Sequence, residues 1–268
     1  MLREYKYLDE KHCDYISDFY LITSAVLNMA TSGLTPYVDV DDKRVKRIRK
    51  MMAKHISGVP VQKVIGYSYF YDCYIPYSKH TLTPRMETEL LVEKICDYIG
   101  SKHCKVLDMC AGSGCIGIAV AKHTGSEVVL ADVSDYAIKE CKTNAKLNFV
   151  KVDVIKSNMF DRIAEKFDII VCNPPYITEG DYDKLDYMVK NYDPKLALVG
   201  GSDGLDYYKI IATKAPEYLV NGGRLFLEIG YDQGEAVKGL LETVFDHVDV
   251  IKDYSGNDRI IVAYDMKN

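Results

Sequence analysis

The chain has no Cys-x-x-Cys pair, although its eight cysteines, at positions 13, 73, 96, 104, 110, 115, 141 and 172, are numerous enough to allow one. The six histidines show no paired spacing either. A zinc site and a redox dithiol are therefore not indicated, and free reduced thiols are expected. No apolar stretch approaches the ~20 residues that span a bilayer. The first residues, Met1 to Asp14, are charged rather than apolar, unlike a secretory signal, so the expected compartment is the cytoplasm. Positive charge is not in excess. A net charge of −5 argues against indiscriminate nucleic-acid binding, which depends on Lys and Arg neutralising phosphates. Internal repeats and low-complexity segments are missing as well. With 268 residues, the chain suits one large domain or a domain with an appendage, long enough to bury a core.

What is present is most telling at Asn173-Pro174-Pro175-Tyr176, directly after the apolar run Phe167-Asp168-Ile169-Ile170-Val171-Cys172. The run is rich in β-branched residues and short for a helix, so it reads as a buried strand that the paired prolines end abruptly. In an open parallel sheet, ligands bind at that carboxyl edge. Asn173 brings a side-chain carbonyl, and Pro174 a backbone carbonyl without an N–H. Two converging acceptors suit a planar NH2 group, and Tyr176 adds a flat face for stacking.

Upstream, Val106-Leu107-Asp108-Met109-Cys110-Ala111-Gly112-Ser113-Gly114-Cys115-Ile116-Gly117 reads as strand, glycine turn and helix. Lys105 to Leu107 form the strand, and Ile116, Ala119, Val120 and His123 form one helical stripe. The next strand, Glu127 to Ala131, ends in Asp132, roughly twenty residues past the loop, where a carboxylate can accept from ribose hydroxyls. Dinucleotide enzymes use similar glycine spacing. Gly112, Gly114 and Gly117 keep that G-x-G-x-x-G spacing, so the loop alone leaves both nucleotide readings open, and the Asn-Pro-Pro-Tyr element decides for S-adenosylmethionine.

These motifs resemble those of the HemK-type glutamine methyltransferases, which modify peptide-chain release factors. The resemblance extends to Pro60, Gln62, Ile65, Gly66 and Phe70, to Thr83-Pro84-Arg85-Met86-Glu87-Thr88-Glu89, and to Asp193-Pro194, Ala197-Leu198, Gly200-Gly201 and Asp203-Gly204-Leu205. It closes with Leu227-Glu228-Ile229-Gly230, Gln233-Gly234, Asp253-Tyr254-Ser255-Gly256 and Arg259. Residues 58 to 263 are covered, and the first sixty match less distinctly. Three positions depart from the family pattern: Cys110 replaces a glycine, Lys63 an aromatic residue and Asn158 an aspartate, none of which removes an atom the chemistry needs.

The resemblance implies an α/β fold: a seven-stranded, mostly parallel Rossmann-like methyltransferase sheet with a small N-terminal helical domain and a linking β-hairpin. The expected boundaries are 1–65 for a helical substrate-docking domain, 66–84 for the hairpin and 85–268 for the methyltransferase domain. It also implies S-adenosyl-L-methionine held by Asp108, Cys110, Ala111, Gly112, Ser113, Gly114, Asp132, Asn158, Met159 and Asn173, with the methionine end near the Thr83 to Thr88 segment. Catalysis falls to Asn173, Pro174 and Tyr176, and substrate contacts to these with Pro175, Arg85, Thr88 and Glu89. For Arg85, Glu87 and Glu89, an ordinary ion cluster at a helix start is the competing reading. The implied partners are class I peptide chain release factors in translation termination, met by a monomer without membrane or direct nucleic-acid contact.

Periodicity gives the remaining elements. Ile16, Phe19, Thr23, Val26, Leu27 and Ala30 mark a helix stopped by Gly33, and Val45, Ile48, Met52, His55 and Ile56 another stopped by Gly58. The basic run Lys43, Arg44, Lys46, Arg47, Arg49 and Lys50 interleaves with that second stripe as its solvated face. A hairpin is expected between Gly66 and Thr83 and a helix over Glu87 to Ile99. Ser134 caps a helix to Asn148, followed by a strand near Phe149 to Val154. A helix from Gly204 to Leu219, a strand at Arg224 to Ile229, and two strands near His247 to Lys252 and Arg259 to Tyr264 complete the alternation of a covered parallel sheet.

An amide nitrogen is a poor nucleophile because its lone pair is delocalised into the carbonyl. Acceptors at Asn173 Oδ1 and the Pro174 carbonyl would orient it and favour the positive charge that develops during transfer. Three functions compete on sequence alone: glutamine methylation in the Gly-Gly-Gln loop of class I release factors, methylation of an exocyclic amine of DNA or RNA, and a non-catalytic cofactor-binding scaffold. The first is favoured. The second wants a base-flipping pocket and a basic surface, and the intact Asn173 motif speaks against the third.

Overall fold

The computed structural model describes residues 15–35 and 38–267. The charged Met1 to Asp14 segment and Cys13 lie outside them. The chain divides into two compact units, residues 1–67 and 68–268.

In the first unit, α1 (Tyr15–Leu27), α2 (Asp42–Ile56) and α3 (Val61–Ile65) are each too short to persist alone in water, so they depend on packing against one another. Phe19, Ile22 and Val26 of α1 close over Ile48 and Met52 of α2 and Val61 of α3. Asp41 caps α2 by accepting the Arg44 N–H at 2.9 Å, which satisfies an otherwise orphaned donor. All six basic residues from Lys43 to Lys50 are exposed on that helix. The first helix stops earlier than its stripe suggests. Asn28 turns left-handed at φ 53°, and Thr31–Gly33 form a separate 3-10 turn.

A hairpin follows, β1 (Tyr67–Phe70) and β2 (Cys73–Pro76), and then α4 (Glu87–Ile99). Alternation begins there: β3 (Lys105–Met109), α5 (Cys115–Thr124), β4 (Glu127–Asp132), α6 (Asp135–Leu147), β5 (Asp153–Lys156) and β6 (Phe167–Cys172). Two short helices, α7 (Glu179–Tyr182) and α8 (Tyr187–Tyr192), precede α9 (Asp206–Tyr218), β7 (Leu219–Glu228), α10 (Gly234–Leu241), β8 (Phe245–Lys252) and β9 (Asp258–Met266). The seven strands lie in the order β5-β4-β3-β6-β7-β9-β8. The pairings from β5 to β7 are parallel, whereas β9 runs antiparallel to both its neighbours.

Side chains alternate across each strand, so a sheet covered on both faces needs apolar residues at successive positions. Val106, Ile169 and Val171 join the layer under α4, α5 and α6. Leu107, Met109, Ile170 and Cys172 join the opposite layer with α9 and α10. The strand expected near Phe149 to Val154 is displaced. Asn148 ends α6, and its side-chain amide pairs with the Tyr74 backbone, accepting the N–H at 2.9 Å and donating to the carbonyl at 2.8 Å. Phe149 then turns left-handed at φ 58°, which postpones pairing until Asp153. The helix expected from Gly204 starts at Asp206, because Gly204 sits at φ 73° in the preceding turn.

Candidate active site

The strand order reverses between β3 and β6: the chain leaves β3 towards β4 on one side and leaves β6 towards β7 on the other. Ligand crevices form at such a switch point, beyond the carboxyl ends of the strands. A cavity opens there, and its walls include Met109, Cys110, Gly112, Asp132, Met159 and Asn173.

The glycine loop forms its floor. Cys110 and Gly112 both sit at φ 56°, a conformation that is easy for glycine and uncommon for a residue with a Cβ. Gly112 N–H donates to Asp132 Oδ2 at 2.8 Å, and Ser134 N–H donates to Oδ1 of the same carboxylate at 2.8 Å. Burial raises the Asp132 carboxyl above its usual range, against the opposing pull of these N–H groups. A carboxylate offers about four lone-pair sites, so Asp132 keeps acceptor capacity beyond the bonds that hold the loop.

Asp108 lies beneath the loop, fully buried, and takes the Gly117 N–H on Oδ2 at 2.8 Å. Its Oδ1 has no partner among the described residues, and desolvation pushes its carboxyl up to about 7. Gly117 permits this approach, since a Cβ there would meet Val128 Cγ1 at 2.9 Å and Asp108 Oδ2 at 3.0 Å. Asp108, Ala111, Ser113 and Gly114 support the loop and do not form the cavity wall. Asn158 and Met159 do line it. Cys110 Sγ is 3.8 Å from Met159 Sδ, so the non-glycine residue at this loop packs against the opposite wall.

Asn173 and Pro175 also line the cavity. Asn173 Nδ2 donates to Thr88 Oγ1 at 3.5 Å. Two neighbouring turns fix the Asn-Pro-Pro-Tyr backbone. Ile177 donates to the Leu198 carbonyl at 2.8 Å and accepts the Gly200 N–H at 2.9 Å. Gln233 Nε2 donates to the carbonyls of Tyr176 at 3.1 Å and Gly204 at 3.3 Å, while its Oε1 takes the Gly230 N–H at 3.0 Å. Tyr176 packs into the layer shared with α9.

Arg85 and Glu89 are engaged elsewhere. Arg85 pairs with Asp193 at 2.8 Å, and the same carboxylate takes the Thr83 N–H and hydroxyl at 3.2 and 3.0 Å. Glu89 accepts the Tyr71 N–H at 3.1 Å. Sequence reading gave no role to Glu228, which is 3 % exposed at the end of β7. A lone acid closing the apolar run Leu225-Phe226-Leu227 was the available signal.

A model of the methyltransferase small domain matches residues 83–258. Release factor glutamine methyltransferases are similar along most of the chain. The one from Thermodesulfovibrio yellowstonii is 36 % identical over 237 residues, covering 86 % of this chain and 85 % of the relative. The Bacillus cereus relative is 34 % identical, covering 91 % and 90 %, and that from Agrobacterium fabrum 35 % identical, covering 85 % and 82 %. Among solved structures, a Pyrococcus furiosus methyltransferase aligns with a TM-score of 0.56 at 17 % identity over 84 % of this chain and 98 % of its own. A ribosomal protein L11 methylase from Lactobacillus delbrueckii subsp. bulgaricus aligns with a TM-score of 0.51 at 19 % identity over 69 % of this chain and 82 % of its own. The structural likenesses show the methyltransferase fold; the sequence relatives, similar over nearly the whole length, show that the chain belongs to the release factor glutamine methyltransferase family.

Proposed function

We propose that this enzyme transfers a methyl group from S-adenosylmethionine to the side-chain amide nitrogen of the glutamine in the Gly-Gly-Gln motif of class I release factors. The observation that carries this reading is that Asn173, Asp132 and the Gly112 loop border one cavity at the sheet's switch point. The cavity fits the cofactor's chemistry. Asp132 keeps acceptor capacity for ribose hydroxyls, Gly112 lets a ligand approach the backbone, and Met109, Met159 and Leu196 give apolar walls. Asp132, Gly112, Asn158 and Met159 would hold the cofactor, with Asp108 and Gly114 keeping the loop in shape. When bound, S-adenosylmethionine supplies an electrophilic methyl on a sulfonium.

The protein's part is orientation and charge. Asn173 Oδ1 and the Pro174 carbonyl each accept one N–H of the substrate amide, which aims the nitrogen and favours the positive charge developing on it. Tyr176 lies beside the planar group, Pro175 shapes the wall, and Thr88 holds Asn173. Residues 1–65, with the hairpin at 66–84, serve to dock the protein substrate. The enzyme works in the cytoplasm as a monomer; no helix among the described residues is long and apolar enough to cross a membrane.

The decisive experiment supplies methyl-labelled cofactor together with a purified class I release factor, its Gln→Ala loop variant and total nucleic acid. Label on the intact release factor alone supports this function. Label on the nucleic acid selects methylation of an exocyclic base amine instead.

A further inference from the structure

Asn173 follows β6 and Glu228 ends β7, and the pairing of Cys172 with Leu227 places these two residues side by side at the top of adjacent parallel strands. Neighbours in such a register project to the same face. Glu228 is buried, and one of its oxygens has no partner among the described residues. Thr88 and Asn173 both act to hold its carboxyl down as side-chain donors, against burial, and the Thr88 hydroxyl takes the Asn173 amide N–H at 3.5 Å. The NH2 end of Asn173 is thus turned towards Thr88, on the side where Glu228 stands as its strand neighbour.

A primary amide has one donor end and one acceptor end. Once the NH2 end is committed, the carbonyl end must lie opposite, on the cavity that Asn173 lines. The flipped amide would set Asn173 Oδ1 against an ionised carboxylate, a repulsive contact in a site with little water. We infer that Glu228 is a positioning residue that sets which end of the Asn173 amide faces the substrate. This inference rests on the proposed glutamine methylation, because only an acceptor pointing into the cavity can grip a substrate NH2.

The control depends on charge. An ionised carboxylate only accepts hydrogen bonds, whereas a protonated one can donate to Asn173 Oδ1 and support the flipped amide. Burial lifts the Glu228 carboxyl to about 7; Thr88, Arg259 on β9 and Asn173 oppose that rise, and Glu87 at the start of α4 adds to it. The charge of this carboxylate also raises the pKa of Tyr176, Tyr208 of α9 and Cys115 of α5. The orientation is therefore held above neutral pH and released as pH falls through that range.

The test compares the full-length wild type with Glu228→Gln, a near-isosteric variant whose folding is checked by its melting curve. Asparagine-selective nitrogen-15 labelling follows the Asn173 side-chain NH2 signals, assigned by their loss in Asn173→Ala. In the wild type these signals should titrate with a midpoint near 7, and kcat should fall at least fivefold from pH 8 to pH 6. In Glu228→Gln the titration should vanish and kcat at pH 8 should drop ten- to hundredfold, with cofactor Kd within twofold of wild type. Asn173 signals that ignore both pH and the substitution would overturn the inference, as would a variant kcat within twofold of wild type. A wild type that methylates no release factor sinks the proposed function, and the Asn173 titration then decides the orientation by itself.

Discussion

Single carboxylates carry much of this site, and their environments separate their tasks. Asp108 is buried with one oxygen unpartnered among the described residues, so its charge is costly. Its folded carboxyl, at about 7, lies above its ordinary 3.8. The native state therefore holds an extra proton between those values, and this group's contribution to stability falls as pH rises across that window and is constant above it. Asp108→Asn should remove the dependence. The stability difference between variant and wild type should grow by up to about 4 kcal/mol in the variant's favour from pH 4 to pH 8, as urea unfolding at the two pH values would reveal. Parallel pH curves would refute a buried charge at this position.

Asp132 and Asn173 separate in another way. Asp132→Ala frees the Gly112 and Ser134 N–H groups and removes the acceptor proposed for the ribose, so cofactor affinity should fall on the order of tenfold or more. Asn173→Ala should leave that affinity largely intact while kcat drops on the order of 10²–10³-fold. Calorimetry and single-turnover transfer on both variants would tell them apart, and an Asn173 variant with undiminished turnover would remove the residue from catalysis.

At the scale of elements, β6 was legible because its β-branched run is bounded by a proline pair, and α4 because its apolar stripe follows an acidic start. Phe149 misled: an aromatic beside Val150 and Val152 looks like strand, but the left-handed turn after α6 is set by the Asn148 amide pairing with β2, far away in the chain. α10 escaped notice since eight residues give too little periodicity. For the same reason the cavity-lining Asn158 and Met159 could be placed only through family resemblance, and Glu228, though a lone acid closing an apolar run, drew no role because its neighbours Thr88 and Asn173 arrive from other elements. Contacts between turns are likewise unreadable in sequence, and they yield a prediction. Gly204 is left-handed, and a Cβ there would press on the Tyr176 carbonyl and meet Gln233 Nε2 at 2.8 Å. Gly204→Ala should displace the Asn-Pro-Pro-Tyr turn while leaving the Gly112 loop alone. Turnover should then fall about tenfold or more with cofactor affinity unchanged, since misplaced groups are costly to catalysis. Loss of cofactor binding in parallel would mean that the two walls of the cavity are not independent.

For the whole molecule, the division into two units separates two sources of free energy. The sheet unit carries the cavity, while the first unit is held by a small cluster, Phe19, Ile22, Val26, Ile48, Met52 and Val61, with the buried His55 bonded to Asp18 at 2.7 Å beside it. Few apolar contacts mean low local stability, so this unit should respond to a single truncation. Ile48 is fully buried, and Ile48→Ala should remove about 2–5 kcal/mol from it, enough to loosen three short helices. If those helices dock the release factor, the loss appears in encounter with the protein substrate and not in chemistry. KM for the release factor should rise about tenfold or more, with kcat and cofactor Kd close to wild type, because removing binding that is equal in ground and transition states raises KM alone. Steady-state methylation at varied release-factor concentration, paired with cofactor titration, provides the check. A kcat or a cofactor affinity that collapses together with KM would mean that the helices support the cavity itself, and the docking role would have to be abandoned.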